Sequence, residues 1–132
     1  MIEFNCDKKV DIKRLIVMFN EVGWSDKTKD ASRLKDMIMN SQIVVTAWDG
    51  DIMVGFARCV TDHVFNGQIN NVVVDSGYRG KGIGKELITR IINSNRQVTY
   101  VLRGDPENAG FYKNLGFKEV DLCFVFNRFM IL

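Results

Sequence analysis

The sequence has few of the residues on which metal sites and disulfide frameworks depend. It contains a single histidine, His63, and its three cysteines, Cys6, Cys59 and Cys123, lie far apart without metal-ligand spacing. Scattered cysteines in odd number are typical of reduced thiols, so we predict a cytoplasmic protein with no metal site. A catalytic thiol with His63 as its base stays open in principle, although no spacing brings the two residues together.

The sequence also lacks a strong charge of either sign and a long apolar run. Its formal net charge of +2 is too small to favour nucleic acid or an anionic membrane as the main partner. No apolar run approaches the roughly 18 residues of a membrane span, and Glu3 and Asp7 do not fit a signal peptide. With 46% apolar residues, the chain is expected to form a single domain over residues 1–132.

A glycine-rich turn stands between a β-branched apolar run and a helical pattern. The run ends at Asp75, the glycines are Gly77, Gly80, Gly82 and Gly84, and apolar residues then recur at helical spacing. Glycines let successive backbone N–H groups converge, and the start of the following helix favours an anion such as phosphate. The sequence therefore predicts a phosphate-binding turn.

The spacing of the turn excludes two common nucleotide motifs. A Walker loop needs four residues before its Gly-Lys pair, whereas three separate Gly80 from Gly84, and Glu86 stands where Ser or Thr is required. A dinucleotide fingerprint fails because the glycines read G-x-G-x-G. The pattern that remains is R-x-x-G-x-G, which residues 79–84 match as R-G-K-G-I-G, directly after S-G-Y at residues 76–78.

Patterns elsewhere predict an α/β protein with a mixed sheet. Helical spacing predicts helices that end near Gly23 and near residues 40–41, and Asp49-Gly50 predicts a hairpin between two apolar runs. Gly55 in the second run predicts a bulge or a close backbone approach. Further predictions are a turn at Asn66-Gly67, a strand over 68–75, a parallel strand over 97–103, a helix starting at Asp105-Pro106, and one or two strands within 117–132.

With these elements in place, the chain resembles the GNAT superfamily of acetyl-coenzyme A-dependent N-acetyltransferases. The resemblance rests on V-V-V-D at residues 72–75 leading into R-G-K-G-I-G at 79–84, and on G-F-Y-K-N-L-G-F at 110–117. It implies an α/β GNAT fold: a mixed central sheet of about six to seven strands, helices on both faces, and a splay between strands 4 and 5.

The resemblance also implies a site for acetyl-coenzyme A. Backbone amides of the turn would bind the pyrophosphate, the pantetheine arm would enter the splay, and the amide of Val74 would face the thioester oxygen. Many relatives have a cofactor-binding asparagine where Asp105 stands here, and Asn108 could share that role. The implied cofactor residues are Val72, Val73, Val74, Arg79, Gly80, Lys81, Gly82, Ile83, Gly84, Lys85, Asp105 and Asn108.

Two catalytic residues follow from the same resemblance. Tyr112 occupies the position of the tyrosine that protonates the departing thiolate, although it also fits a core aromatic. Asn71 stands where some relatives have an aspartate; an amide cannot act as a base, but it can hold a water. The base therefore stays open among water, Asp62, His63, Asp75 and Asp105, and Asp75 is interpreted foremost as a cap of the turn.

The implied reaction is direct attack of a primary amine on the thioester through a tetrahedral intermediate. Short matches to arylalkylamine-type and small-amine members favour a small-molecule acceptor, with Trp24 and Phe65 as candidate pocket residues or ordinary packing. Asp26, Asp30 and Asp36 have two interpretations: they attract a cationic amine, or they form a solvated acidic face of the helix. Alternatives are acetylation of a protein N-terminus or lysine, and a non-catalytic acetyl-coenzyme A-binding module. The sequence does not show the oligomeric state; relatives often dimerise through C-terminal strands, which here would give a homodimer through residues 124–132.

Overall fold

Over residues 1–128 the chain folds around one five-stranded sheet with helices on both faces. The structure is a computed structural model that describes residues 1–128. In chain order its elements are β1 (Ile2–Asn5), α1 (Ile12–Glu21), α2 (Ala31–Asn40), β2 (Ile43–Asp49), β3 (Ile52–Thr61), β4 (Asn66–Val74), α3 (Ile83–Ser94), β5 (Thr99–Val101) and α4 (Ala109–Asn114).

Strand order in the sheet follows the chain, from β1 at one edge to β5 at the other. Neighbours are antiparallel except β4 and β5, which are parallel because α3 carries the chain back across the sheet. The predicted hairpin at Asp49-Gly50 is confirmed, since Asp49 pairs with Ile52. The α/β class and the mixed sheet are confirmed as well.

The two faces of the sheet carry two separate apolar clusters. On one face α1 and α2 pack through Leu15, Phe19 and Leu34, and on the other α3 packs through Leu87 and Ile91. Alternation along the strands supplies both clusters: Val44 belongs to the first and Val45 to the second. The expected helices on both faces are therefore present.

The sheet opens between β4 and β5. The two strands pair only through Asn66–Gln68 and Thr99–Val101, so over residues 1–128 no strand pairs with 69–74 on that edge. This confirms the predicted splay. Gly55 lies close by in β3, and a Cβ there would lie 3.1 Å from the Ala47 Cβ and from the Ile83 Cγ2, which confirms the predicted close approach.

Three local predictions were wrong. Residues 117–128 form no strand, so the described sheet has five strands instead of six to seven; residues 129–132 lie outside the described part. Apolar, β-prone residues do not make a strand without a partner strand. Asn66-Gly67 begins β4 instead of forming the turn, because the Asp62 carboxylate accepts from the backbone N–H groups of residues 64–66 and turns the chain earlier.

The helix predicted at Asp105-Pro106 begins later, at Ala109. The Asp105 N–H donates to the Asn108 Oδ1 (2.7 Å), and the Asn108 N–H donates to the Asp105 carbonyl (3.1 Å). These two bonds close a turn before the helix starts, so Asp105 is not its N-cap. Separately, no helix among residues 1–128 combines the length and apolar character needed to cross a membrane.

Candidate active site

The glycine turn leaves open space where side chains would otherwise project. Gly80 and Gly82 have φ of +78° and +81°, in the left-handed region that favours glycine, and a Cβ on either would meet nothing within 4 Å. Gly82 is the N-cap of α3, and no side chain caps it in the described chain. The turn therefore presents its backbone to solvent, as an anion site requires.

The first N–H groups of α3 have no acceptor within the helix. The first bond of the helix is donated by the Glu86 N–H to the Gly82 carbonyl (3.1 Å), so the N–H groups of Ile83, Gly84 and Lys85 precede the helical bonding pattern. Glu86 itself pairs with Arg90 at 2.9 Å. These donors and the positive end of the helix dipole fit a pyrophosphate.

The open edge of β4 presents alternate backbone groups. The Asp75 N–H donates to the Val54 carbonyl at 2.8 Å and so points toward β3. Because N–H directions alternate along a strand, the N–H groups of Val74 and Val72 point to the splay. By the same alternation the Val73 N–H points toward β3, so of the three valines only Val72 and Val74 direct their N–H groups to the open edge.

The turn, the end of β4 and α4 meet at Gly84. A Cβ on Gly84 would lie 3.4 Å from the Phe111 ring and 3.7 Å from the Val74 Cγ2. Tyr112 follows Phe111 on α4 and packs in the same cluster as Val72 and Val74. The structure therefore brings together the two sequence motifs that lie about 30 residues apart.

Tyr112 is half-buried and held between two phenylalanines. Its ring makes edge contacts with Phe111 and Phe117, with centroids 5.2 and 5.9 Å away. Burial raises the pKa of Tyr112 above its ordinary value, and the charge of Asp105 raises it further. The phenol is therefore protonated at neutral pH, as a proton donor must be.

Asn71 lies at a bulge in β4, where the register with β3 shifts. Its φ of +55° falls in the left-handed region, which asparagine tolerates better than most residues. Its Oδ1 accepts from the Arg58 Nε at 2.8 Å, and the Arg58 Nη1 lies 3.4 Å from the Ser41 Oγ. Asn71 is thus bonded to a cation next to the splay and supplies no carboxylate.

Two candidate bases are engaged in other contacts. Asp75 accepts from Arg14 (2.6 Å) and from the Gly77 N–H (2.8 Å), and the Arg14 bond holds the pKa of Asp75 below its usual range. Its predicted role as the cap of the turn is confirmed. Backbone N–H donors, that of Val64 foremost, likewise lower the pKa of Asp62.

The remaining candidates differ in position. His63 is exposed in the loop between β3 and β4, whereas Asp105 lies in the loop before α4 and acts on the pKa of Tyr112. Cys59 is fully buried, and burial raises the pKa of its thiol to about 11, which does not fit a nucleophile. No cluster of three or more His, Cys, Asp or Glu residues within 1–128 has metal-binding geometry.

The two candidate acceptor residues are placed differently. Trp24 is half-buried and makes an edge contact with Phe19, with centroids 5.1 Å apart, which is ordinary core packing. Phe65 is 71% exposed in the loop at the start of β4, at the opposite end of that strand from the glycine turn. The structure does not bring these residues together.

Two arginines that bond Asp75 and Asn71 received no role from the sequence. Arg14 links α1 to the turn through Asp75, and Arg58 bonds Asn71. Arg58 interrupts the otherwise apolar run of β3, and a charged residue inside such a run is a signal that could have identified it. Arg14 lies on an amphipathic helix, and the sequence does not show that its partner is Asp75, 61 residues away.

Comparison with known proteins agrees with this geometry. A family model described as "Acetyltransferase (GNAT) domain" matches residues 40–119. That span begins at the end of α2, contains β2 to α4, and includes both the glycine turn and Tyr112.

Several plant and algal proteins are similar along most of this chain. "Histone acetyltransferase TAP1" of Glycine max is 33% identical over 87% of this chain and 55% of its own length. "Uncharacterized N-acetyltransferase ycf52" of Pyropia yezoensis is 31% identical, with 88% and 70% covered. "Serotonin N-acetyltransferase 2, chloroplastic" of Oryza sativa subsp. japonica is 30% identical, with 82% and 56% covered. The chain thus spans little more than half of the soybean and rice relatives.

Solved structures share the fold at low sequence identity. A probable acetyltransferase of unknown function from methicillin-resistant Staphylococcus aureus has a TM-score of 0.84 and 19% identity, covering 98% of this chain and 100% of that one. At this identity the likeness establishes the architecture alone.

Proposed function

Because the chain belongs to the GNAT acetyltransferase family, we propose that it transfers the acetyl group of acetyl-coenzyme A to a primary amine on a small molecule. The observation that carries the proposal is the meeting of the glycine turn, the open edge of β4 and Tyr112 at one place. Coenzyme A would supply an activated acetyl thioester there.

The residues of the turn would bind the donor. The N–H groups of Ile83, Gly84 and Lys85 would donate to the pyrophosphate. The positive φ of Gly80 and Gly82 favours glycine, which places no side chain in that space. The backbone of Val72 and Val74 bonds the pantetheine arm as a strand would.

Two further groups would act on the reacting atoms. The Val74 N–H donates to the thioester oxygen, where negative charge develops as the amine nitrogen attacks the carbonyl carbon. The carbon–sulfur bond breaks, and the Tyr112 hydroxyl gives its proton to the departing thiolate. The amine would lose its proton to water or to one of the two remaining candidates, His63 and Asp105, since Asn71 has no carboxylate and Asp75 is paired with Arg14.

A protein lysine or N-terminus is a second candidate acceptor, favoured by the soybean relative named a histone acetyltransferase. The rice relative, named for serotonin, favours a small amine. The expectations of a cytoplasmic location and of a homodimer stay predictions, and the rice relative is named chloroplastic.

Release of free thiol from acetyl-coenzyme A, measured with a panel of amines and with lysine peptides, tests the proposal. We expect release with at least one small amine at a rate above the peptide rate. Tight binding of acetyl-coenzyme A with no release for any acceptor would instead indicate a non-catalytic binding module.

A further inference from the structure

A cavity lies on the face of the sheet that α1 and α2 cover. Its volume is about 370 Å³, and it is bounded by the short 3₁₀ turn Ser25–Lys27, the start of α2 and the middle of β3. Leu34 and Met37 form its apolar wall. A space of this size suits a small molecule.

The charged lining of the cavity is mostly positive. Five cationic side chains line it against two carboxylates, Asp26 and Asp30. The cations are Lys27, Lys29, Arg33, Arg58 and Arg128. They come from the loop before α2, from α2, from β3 and from the segment after α4, so the positive charge depends on the fold and not on one run of sequence.

Both carboxylates are already bonded. Asp26 pairs with Arg128 at 2.8 Å and lies 3.7 Å from the Lys27 Nζ. Asp30 caps α2 by accepting from the backbone N–H groups of Ser32 and Arg33, at 3.0 and 3.2 Å. Asp26 is therefore paired with a cation, and Asp30 is engaged at the start of α2, so the five cations remain in excess around the cavity.

Arg58 is half-buried and lies within β3, in the wall that the sheet forms. Its guanidinium donates to neutral groups, the Asn71 Oδ1 and the Ser41 Oγ, and no carboxylate within residues 1–128 lies at ion-pair distance from it. A guanidinium carries five N–H donors, so others remain for a ligand in the cavity. A partly buried charge without a counter-ion favours an anion, and guanidinium matches carboxylate and phosphate geometry.

Arg58 also connects the cavity to the proposed reaction site. Its partner Asn71 lies on β4 directly before Val72, and Val74 follows within about 10 Å at the usual rise of a strand. A small molecule bonded to Arg58 would therefore reach the splay with its other end.

We propose that the acetyl acceptor carries an anionic group, a carboxylate or a phosphate, which Arg58 and Arg33 bind while the amine of the same molecule enters the splay. This inference rests on the proposed function and names its substrate class. A positive cavity disfavours a lysine-rich peptide by the same charge argument.

Matched pairs of amines test the inference and separate the two anions. One pair is β-alanine and β-alaninamide, which differ by a carboxylate; the other is glucosamine 6-phosphate and glucosamine, which differ by a phosphate. Spermidine is the cationic comparison. We expect kcat/KM, measured by thiol release, to be about tenfold or more higher for the anionic member of at least one pair, and that pair identifies the anion.

Substitutions then test whether the cavity causes the preference for anionic amines. Arg33→Gln and Arg58→Gln should each lower the ratio of anionic to neutral kcat/KM, chiefly through KM. Lys35→Gln removes a cation from the exposed side of the same helix, outside the cavity, and should leave the ratio unchanged. Arg33 is exposed and makes no side-chain bond in the described chain, so its variant decides the matter even if Arg58→Gln does not fold.

The outcomes are distinct. Neutral or cationic amines that react as fast as their anionic counterparts overturn the inference but leave the proposed function intact. An anion preference that survives both arginine substitutions also overturns it, because another site would then bind the anion. If no amine releases thiol, the proposed function fails, and the inference fails with it.

Discussion

At the scale of single residues, the proposed proton donor to the leaving thiolate is the hydroxyl of Tyr112. Replacing Tyr112 by phenylalanine keeps the ring contacts with Phe111 and Phe117 and removes only the donor. We expect kcat to fall by about 10²-fold while the affinity for acetyl-coenzyme A stays nearly intact. Steady-state rates together with calorimetric titration of the cofactor measure both quantities.

Tyr100→Phe is the matched control for Tyr112→Phe. The Tyr100 hydroxyl lies 2.9 Å from the Asn95 carbonyl and 3.3 Å from that of Ile91, away from the splay. Its loss should lower the free energy of unfolding by about 1 kcal/mol and leave kcat unchanged. Equal rates for Tyr112→Phe and the unaltered chain would remove Tyr112 from the mechanism.

The raised pKa of Tyr112 predicts the alkaline side of the pH profile. The proposed role requires the protonated phenol, so the rate falls as pH rises through the pKa. Burial and Asp105 raise that pKa above the ordinary value of 10.0, so we expect no loss of kcat from this group below about pH 10. Asp105→Asn removes the smaller of the two causes and should shift the alkaline fall to lower pH.

Tyr112 and Asn71 show what the sequence could predict of single residues. Tyr112 lies within a local motif, so its position could be predicted, and the structure packs its ring in the same cluster as Val72 and Val74. The contact of Asn71 with Arg58 was not readable, because it depends on which residue of β3 lies opposite a bulge in β4. Sequence spacing does not encode a shift of register.

At the scale of elements, the turn before α3 depends on a backbone shape that glycine allows. Gly82→Ala would place a methyl group in the open space of the turn at a φ of +81°. We expect loss of measurable acetyl-coenzyme A binding by calorimetry, with a fall of about 1–2 kcal/mol in the free energy of unfolding.

Gly23→Ala provides the same backbone strain elsewhere. Gly23 has a φ of +82°, a methyl group added to it would meet nothing within 4 Å, and it lies after α1, away from the turn. The Gly23→Ala protein should lose similar stability and keep its affinity for the cofactor. Normal affinity in a folded Gly82→Ala protein would contradict the placement of the pyrophosphate.

The ion pair between Arg14 and Asp75 ties α1 to the glycine turn. Asp75→Asn removes the charge, and we expect the free energy of unfolding at pH 7 to fall by about 2 kcal/mol. The pKa of Asp75 is lowered in the folded chain, so its stabilising effect is complete above the unfolded value of about 3.9 and disappears as pH falls through the folded value.

Urea unfolding at a series of pH values measures this effect. The difference between Asp75→Asn and the unaltered chain should be large at pH 7 and should shrink below about pH 4. Asp51→Asn removes an exposed carboxylate from the hairpin turn between β2 and β3 and should change little at either pH. A difference for Asp75→Asn that does not depend on pH would exclude the ion pair as its cause.

The elements that sequence patterns predicted well are those with a strong local signal. Apolar stripes located α1, α2 and α3, and Asp49-Gly50 located the first hairpin. The turn predicted at Asn66-Gly67 was wrong because Gly67 is needed for packing: a Cβ there would lie 2.8 Å from the Tyr100 ring on β5. Such a contact between strands far apart in sequence has no local signature.

At the scale of the whole molecule, the two halves of the proposed site were unequally predictable. The donor side consists of one contiguous turn and one short motif, which a sequence shows directly. The acceptor side is a cavity assembled from three separate parts of the chain, and its pair Asp26 and Arg128 lies 102 residues apart. Because the fold assembles this lining, the positive charge of the cavity could not be predicted from the net charge of +2.

The opening between β4 and β5 has a further consequence for the chain on its own. Without a ligand, residues 69–74 form a sheet edge with backbone donors and acceptors that no other strand covers within residues 1–128. Unpaired edges of this kind recruit strands from other molecules and lead to aggregation. We expect a pantetheine arm bound along this edge to block that association, so acetyl-coenzyme A would also protect the protein from aggregation.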